Sequence, residues 1–166
     1  QGKDRLLKNG MTVVDLGAAP GGWSQFAVEQ VGDSGRVIAC DILPMDPIAG
    51  VDFLQGDFRE ETVLGTLLER VGPEKVDIVM SDMAPNMSGT KTVDNNKMDA
   101  LVEILIEFSL KNLCKNGSMV IKVFQNGSEK TFVDMIKKYF EKVKLFKPSA
   151  SRKESPEMYI VALNLK

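Results

Sequence analysis

The sequence predicts an α/β fold: a mostly parallel sheet with helices on both faces and an antiparallel last strand. Three observations predict it. Short apolar runs alternate with stretches of helical spacing along the whole chain, the pattern of a doubly wound parallel sheet. Met11–Trp23, MTVVDLGAAPGGW, reads as a strand, a tight glycine-rich turn and a helix start, a ligand-binding corner of such sheets. The last two apolar runs are joined by only about ten residues, too short for a helical crossover, so the seventh strand must turn back.

The elements follow in order. Gln1–Asn9 is a polar, basic lead-in with Lys3, Arg5 and Lys8. Met11–Leu16 is the first strand, and Gly22–Val31 a helix with Trp23, Phe26, Ala27 and Gln30 near helical spacing. Asp33-Ser34-Gly35 turns the chain into a second strand, Arg36–Asp41. Leu43–Pro47 is a loop, because neither of its prolines suits a regular element. Val51–Gln55 is the third strand. Arg59–Val71 is a helix with Val63, Leu64, Leu67, Leu68 and Val71 on one side, ended by Gly72-Pro73. Val76–Met80 is the fourth strand, and Met87–Asn96 is polar and loop-like. Lys97–Leu113 is a long helix built on Leu101, Ile104, Leu105, Phe108 and Leu113, closed by Asn116-Gly117. Ser118–Phe124 is the fifth strand, Thr131–Phe140 a helix, Val143–Phe146 the sixth strand and Met158–Leu163 the seventh. No repeat, low-complexity segment or linker interrupts this order, so residues 1–166 read as one domain.

The totals exclude several classes. With 43% hydrophobic and 27% charged residues the composition is that of an ordinary globular chain. A net charge of −2 lacks the bulk basic signature of nucleic-acid binding, so any such contact needs a local patch. Cys40 and Cys114 cannot build a disulfide framework, and a reduced, cytoplasmic setting is expected. No apolar stretch approaches a membrane span. There is no histidine, so proton transfer falls to Lys, Asp, Glu, Tyr, Cys or water, and no metal is expected. The sequence begins at Gln1 without a methionine and enters its first strand at once, which suggests a chain that has lost N-terminal sequence.

Asp15, Asp41, Asp57 and Asp82 each close a predicted strand. Singly, each is a plausible cap for the turn that follows. As a set at the ligand edge they suit a cationic or polyhydroxyl ligand and would repel a pyrophosphate. By position Asp41 takes ribose hydroxyls, and Asp57 accepts from an adenine amino group with Phe58 packing on the base. The glycine pattern, Gly17, Gly21 and Gly22, is neither the dinucleotide fingerprint nor a Walker loop. An adenosine bearing a sulfonium and an amino acid fits better than NAD, leaving an NAD oxidoreductase as the weaker alternative.

Lys122 stands inside the fifth strand, where both faces should be covered. It is either a lysine snorkelling to solvent or a partly buried lysine beside carboxylates. Asp82 on the neighbouring strand and Glu157 before the seventh would flank it. Such a cluster suits an alcohol nucleophile such as a ribose 2′-hydroxyl. Lys122 could accept its proton only when neutral, or position its oxygen when charged, and both roles stay open. Methylation of pyrimidine C5 would need a cysteine nucleophile, and neither cysteine is near Asp82. Amino-group methylation of bases typically pairs Asp/Asn-Pro-Pro with an aromatic, whereas this chain has Asp82-Met83-Ala84-Pro85-Asn86. An O-directed transfer fits best.

The blocks DLGAAPGGWSQ, ACDILPMDP, DFLQGDF, SDMAPNMSG, IKVFQ and SRKESPEMYIVA closely resemble the RrmJ/FtsJ family of ribose 2′-O-methyltransferases, bacterial RlmE type, from about Lys8 to Val161. The resemblance implies a Rossmann-like, seven-stranded methyltransferase fold and S-adenosylmethionine as donor. It also implies a uridine ribose of large-subunit ribosomal RNA, methylated on the assembled subunit, as substrate. Carried over by motif, Gly21, Trp23, Asp41, Asp57 and Asp82 would contact the cofactor. Lys122 would be the catalytic lysine, with Asp82 and Glu157 beside it. The family's basic segment before the first strand, with a further lysine, has no counterpart in this sequence, and Lys3 and Lys8 lie too near the first strand to replace it. Lys147, Arg152 and Lys153 remain as candidates for phosphate contact. A monomer is expected. A cofactor-binding core without turnover, serving ribosome assembly, is the alternative from another class.

Overall fold

The computed structural model describes residues 6–19, 21–83, 88–147 and 157–166. Lys3, Arg5, the Ala84-Pro85-Asn86 turn, Arg152 and Lys153 lie outside the described residues. The elements run β1 (Thr12–Leu16), α1 (Gly22–Val31), β2 (Arg36–Asp41), β3 (Val51–Gln55), α2 (Glu61–Val71), β4 (Val76–Ser81), α3 (Lys91–Asn112), β5 (Leu113–Phe124), α4 (Ser128–Ile136), β6 (Phe140–Phe146) and β7 (Glu157–Leu165).

Seven strands form one sheet in the order β3-β2-β1-β4-β5-β7-β6. The first five, β3 to β5, run parallel to one another. β7 is antiparallel to both β5 and β6, as the short connection before it requires. The chain winds outward from β1 to β3, then returns to β4 beside β1 and winds the other way. A crevice opens outside the strand ends at such a reversal.

Two apolar layers hold the sheet. The larger lies under α2, α3 and α4 and includes Leu16, Ile38, Leu67, Val79, Leu105, Ile121, Ile136 and Ile160. The smaller lies under α1 and includes Val13, Ala27, Val31, Val37, Ile78 and Met80. Alternate residues of β1 (Val13, then Val14) enter opposite layers, so one short strand helps build both.

The structure moves several predicted boundaries. α3 begins at Lys91, not Lys97. Its first turns are solvated and so lack apolar periodicity. Asp94 secures them by accepting the backbone N–H of Ser88 (2.7 Å) and of Gly89 (3.2 Å). Leu113 belongs to β5 rather than to the helix, and Ile104 is 38% exposed rather than core. Asn116-Gly117 does not end the helix but forms an irregularity inside β5. Asn116 takes φ 70°, and the pairing with β4 shifts register between Val76 and Ile78. α2 starts at Glu61 because Arg59 folds back on Asp57. α4 starts at Ser128, where Glu129 accepts the N–H groups of Asn126 (3.1 Å) and Gly127 (2.6 Å). It stops at Ile136, since Phe140 is needed as the first residue of edge strand β6.

Candidate active site

Register brings the site together. Leu16 pairs with Cys40 on one side and Ser81 on the other, and Ser81 pairs with Ile121. The residues that follow these, Gly17, Asp41, Asp82 and Lys122, therefore emerge at one rung of the sheet edge.

Lys122 is buried, its side chain 10% exposed, because β5 is central and covered. Its Nζ lies 3.3 Å from Asp82 Oδ1 and 3.4 Å from Glu157 Oε2. Both carboxylates are partly solvated, at 38% and 40% exposure, so Nζ bridges the interior and the open edge. A single partner would leave a desolvated charge poorly compensated, and the second carboxylate offsets that cost.

Tyr159 completes this cluster and was not anticipated from the sequence. It pairs with Lys122 across β7, and its hydroxyl donates to Asp82 Oδ1 at 2.6 Å. Burial first, then this bond, holds the phenol well above its ordinary pKa, so it stays a donor. Its ring tilts against Trp23 with centroids 5.5 Å apart. The signal was available: Glu157 and Tyr159 are two apart on one strand and so share a face. Tyr159→Phe is expected to keep the ring contact and lower turnover about ten-fold, the rate equivalent of one hydrogen bond to a charged group. Steady-state kinetics check this, and an unchanged kcat would show that Asp82 is held without it.

Beside the cluster lies a cavity of about 590 Å³, within the range of small-molecule sites. Gly17, Asp41, Asp57, Arg59, Met83 and Lys97 are among its walls. Asp41 Oδ2 accepts the N–H of Ala19 (2.7 Å) and Oδ1 that of Leu43 (3.0 Å), which fixes the carboxylate at the mouth of the glycine loop. Asp57 is gripped by Arg59, whose Nε donates to Oδ1 (2.9 Å) and Nη2 to Oδ2 (2.8 Å). The guanidinium holds the Asp57 carboxyl below its ordinary range. Arg59 was also missed, although two residues after Asp57 it is well placed for this grip. Phe58 lines the cavity but is only 4% exposed and packs edge-on against Phe108 at 6.1 Å. It is a core residue that also forms part of the cavity wall.

Gly21, Trp23 and Asp82 are not among the walls of this cavity. Gly21 precedes α1 with φ 120°, and a Cβ there would come within 2.7 Å of Ile48. Trp23 and Asp82 stand with Lys122 and Tyr159 instead. Gly17 has φ 76°, and a Cβ on it would overlap the Cγ of Met83. Gly17→Ala is expected to cost about 2 kcal/mol or more, from left-handed strain and the displaced Met83. Urea unfolding measures it, and a change under 0.5 kcal/mol, about that of an ordinary surface substitution, would contradict the close approach.

Asp15 does not end its strand, since β1 continues through Leu16. It is fully buried, accepts from Ser24 Oγ at 2.7 Å, and its Oδ1 has no hydrogen-bond partner among the described residues. Burial raises its pKa to about 6 against the Ser24 bond, with Asp82 and Asp41 adding to the rise. Asp15 thus feels Asp82 and Asp41, and a cationic ligand nearby would favour its charged form. Cys40 is pushed up to about 11 by burial, then by Asp41 and Asp57, and Cys114 is raised by burial and by its bond to Asp77. Neither thiol is ionised enough to serve as a nucleophile. Among the described residues no group of three or more His, Cys, Asp or Glu side chains could hold a metal ion. Among the described residues no helix is long and apolar enough to cross a membrane.

The model of the FtsJ-like methyltransferase family matches residues 1–165. This chain belongs to that family. Among solved structures, the FtsJ-like fold is shared with a candidate ribosomal RNA methyltransferase from Plasmodium falciparum, at TM-score 0.88 and 26% identity over 99% of this chain and 91% of that one. A candidate rRNA methylase from Clostridium thermocellum matches at TM-score 0.66 and 17% identity, covering 99% and 96%. An rRNA methylase from Streptococcus thermophilus matches at 0.62 and 14%, covering 99% and 95%. The last two show the fold alone. Methyl transfer by an FtsJ-like enzyme implies S-adenosylmethionine as donor. The cavity fits it: a volume for an adenosyl group, acceptors at Asp41 and Asp57, and an edge whose carboxylates favour a cation.

Proposed function

We propose that this FtsJ-like methyltransferase methylates the 2′-hydroxyl of a uridine ribose in large-subunit ribosomal RNA. The observation that carries the reading is the lysine held between two carboxylates at the sheet edge, beside the cavity. A hydroxyl nucleophile needs a cation at its oxygen and an acceptor for its proton, and this cluster offers both types of group. The raised thiols of Cys40 and Cys114 argue against a route through cysteine. The likeness to the candidate ribosomal RNA methyltransferase of Plasmodium falciparum supports an RNA substrate. The RlmE type, action on the assembled subunit, a cytoplasmic setting and a monomer complete the reading.

Bound S-adenosylmethionine supplies an electrophilic methyl group on a sulfonium. In this reading Asp41 takes the cofactor's ribose hydroxyls, and Asp57, oriented by Arg59, accepts from its adenine amino group. Gly21 and Trp23 would hold the amino-acid end, and Asp82, in contact with Lys122, would face the donor. Lys122 Nζ holds the attacking oxygen and stabilises charge developing on it, while Asp82 and Glu157 hold Nζ. With the methyl donor bound, the hydroxyl proton would pass to a neighbouring carboxylate or water as the methyl group is transferred, and S-adenosylhomocysteine would be left as product. Holding oxygen and methyl group in line supplies much of the rate.

The test is transfer of labelled methyl from S-adenosylmethionine to undermethylated large ribosomal subunits, followed by digestion to nucleosides. Label in 2′-O-methyluridine is expected. Label on a base would overturn the O-directed reading. Cofactor binding without transfer to subunits would favour an assembly factor. Tight NADH binding without S-adenosylmethionine binding would overturn the donor.

A further inference from the structure

Trp23 has neighbours of two kinds. On one side it packs against the apolar layer under α1, which includes Val13 of β1, Val37 of β2 and Ile78 of β4. On the other its ring meets Tyr159 of β7, with centroids 5.5 Å apart and planes tilted by 38°. That separation falls inside the roughly 4.5–7 Å of favourable aromatic pairs. Tyr159 is itself half-buried and donates its hydroxyl to Asp82 Oδ1 at 2.6 Å. Asp82 stands just past the end of β4, beyond the last residue paired with β5, and Lys122 Nζ lies 3.3 Å from that same Oδ1. The carboxylate therefore takes its orientation from side chains, not from the sheet. A phenol that swung aside would free Asp82 to turn away from Lys122, and the Trp23 ring stands beside the phenol.

We infer that Trp23 is a positioning residue for the candidate catalytic cluster, acting through Tyr159. Its ring fixes the phenol, the phenol fixes Asp82, and Asp82 with Glu157 fixes Lys122. The inference rests on the methyl-transfer reading above and adds a link to it. Trp23 is the second residue of α1, directly after the glycine loop, whereas Lys122 lies on β5. The link thus joins the donor side of the site to the lysine. A side chain that only filled the layer under α1 would need no aromatic face toward β7. A tyrosine that only packed against Trp23 would need no hydroxyl on a carboxylate. Both features are accounted for when the pair serves to aim that hydroxyl.

The test is a double-mutant cycle of Trp23→Leu and Tyr159→Phe, read in kcat at saturating S-adenosylmethionine so that any change in cofactor affinity is set aside. Each single variant should lower kcat about ten-fold, the value for the Tyr159 bond, and the double variant should fall no further. Trp23→Phe keeps an aromatic face and should recover most of the rate. Calorimetry with S-adenosylmethionine checks that the variants are folded. A double variant down by about a hundred-fold overturns the inference, because Trp23 would then act by a route of its own. So does a wild-type kcat in Trp23→Leu, or a Trp23→Phe rate no better than that of Trp23→Leu. A second readout needs no turnover, since Trp23 is the only tryptophan of the chain. Its emission should move to the red in Tyr159→Leu, where one side of the indole opens to water, and hold in Tyr159→Phe. Emission unmoved by Tyr159→Leu overturns the contact and the inference with it, whatever the substrate. Label on a base in the wild type, with the cycle still coupled, overturns the ribose reading and supports the link.

Discussion

Lys122→Ala is expected to lower kcat for methyl transfer by about 10²–10⁴-fold, the range for a positioned proton-transfer or charge-stabilising group, with cofactor affinity unchanged. The separation follows from the geometry. Lys122 is not among the walls of the cavity that fits the cofactor, whereas its Nζ meets the open edge between Asp82 and Glu157. The fold should tolerate the change. The two carboxylates left behind are 38% and 40% exposed, so water screens their repulsion. Lys122→Arg should not restore the rate, because a planar fork cannot replace a point charge seated between two oxygens. Single-turnover kinetics with labelled cofactor, alongside calorimetry, check both halves. Retention of more than a tenth of the rate would remove Lys122 from the centre of the site.

The second large effect is a pH dependence of stability carried by Asp15. Burial raises its pKa from 3.8 to about 6 in the folded chain. Between these values the folded protein binds a proton that the unfolded chain has lost. Stability therefore falls as pH rises from about 4 to 6, and the loss is complete above 6. A shift of about two units corresponds to roughly 3 kcal/mol. Asp15→Asn keeps an acceptor for Ser24 Oγ and cannot ionise. Urea unfolding of both proteins at pH 4 and pH 7.5 isolates the term, since every other titrating group is common to the two. The wild type should lose about 2.4 kcal/mol more than the variant over that interval, since pH 4 already lies just above the unfolded value. Parallel stability curves would mean that Asp15 is solvated or otherwise paired. A cationic cofactor suits the edge for the same reason: Asp15 feels Asp82 and Asp41, and added positive charge would favour its carboxylate.

The parts legible in the sequence were those that local chemistry dictates. The glycine loop after Val13-Val14 and the acids Asp41 and Asp82 beside strand ends follow from backbone sterics and periodicity alone. The parallel core and the antiparallel β7 followed from connection lengths. Lys122 stood out because a charge inside an apolar run needs a reason. What stayed hidden depends on contacts between distant residues. α3 starts early at Lys91 because a solvated first turn shows no periodicity and is secured by Asp94. Asn116-Gly117 reads locally as a helix stop and is an irregularity in β5 only because β4 pairs there. Phe58 packs into the core because Phe108 of α3 meets it edge-on. Tyr159 is an ordinary strand aromatic until antiparallel pairing sets it across from Lys122 and within 2.6 Å of Asp82. Local sequence determines which residues must be special, because strand period and turn chemistry act over a few residues. Which of them meet is decided by register, a property of paired strands that no single strand contains.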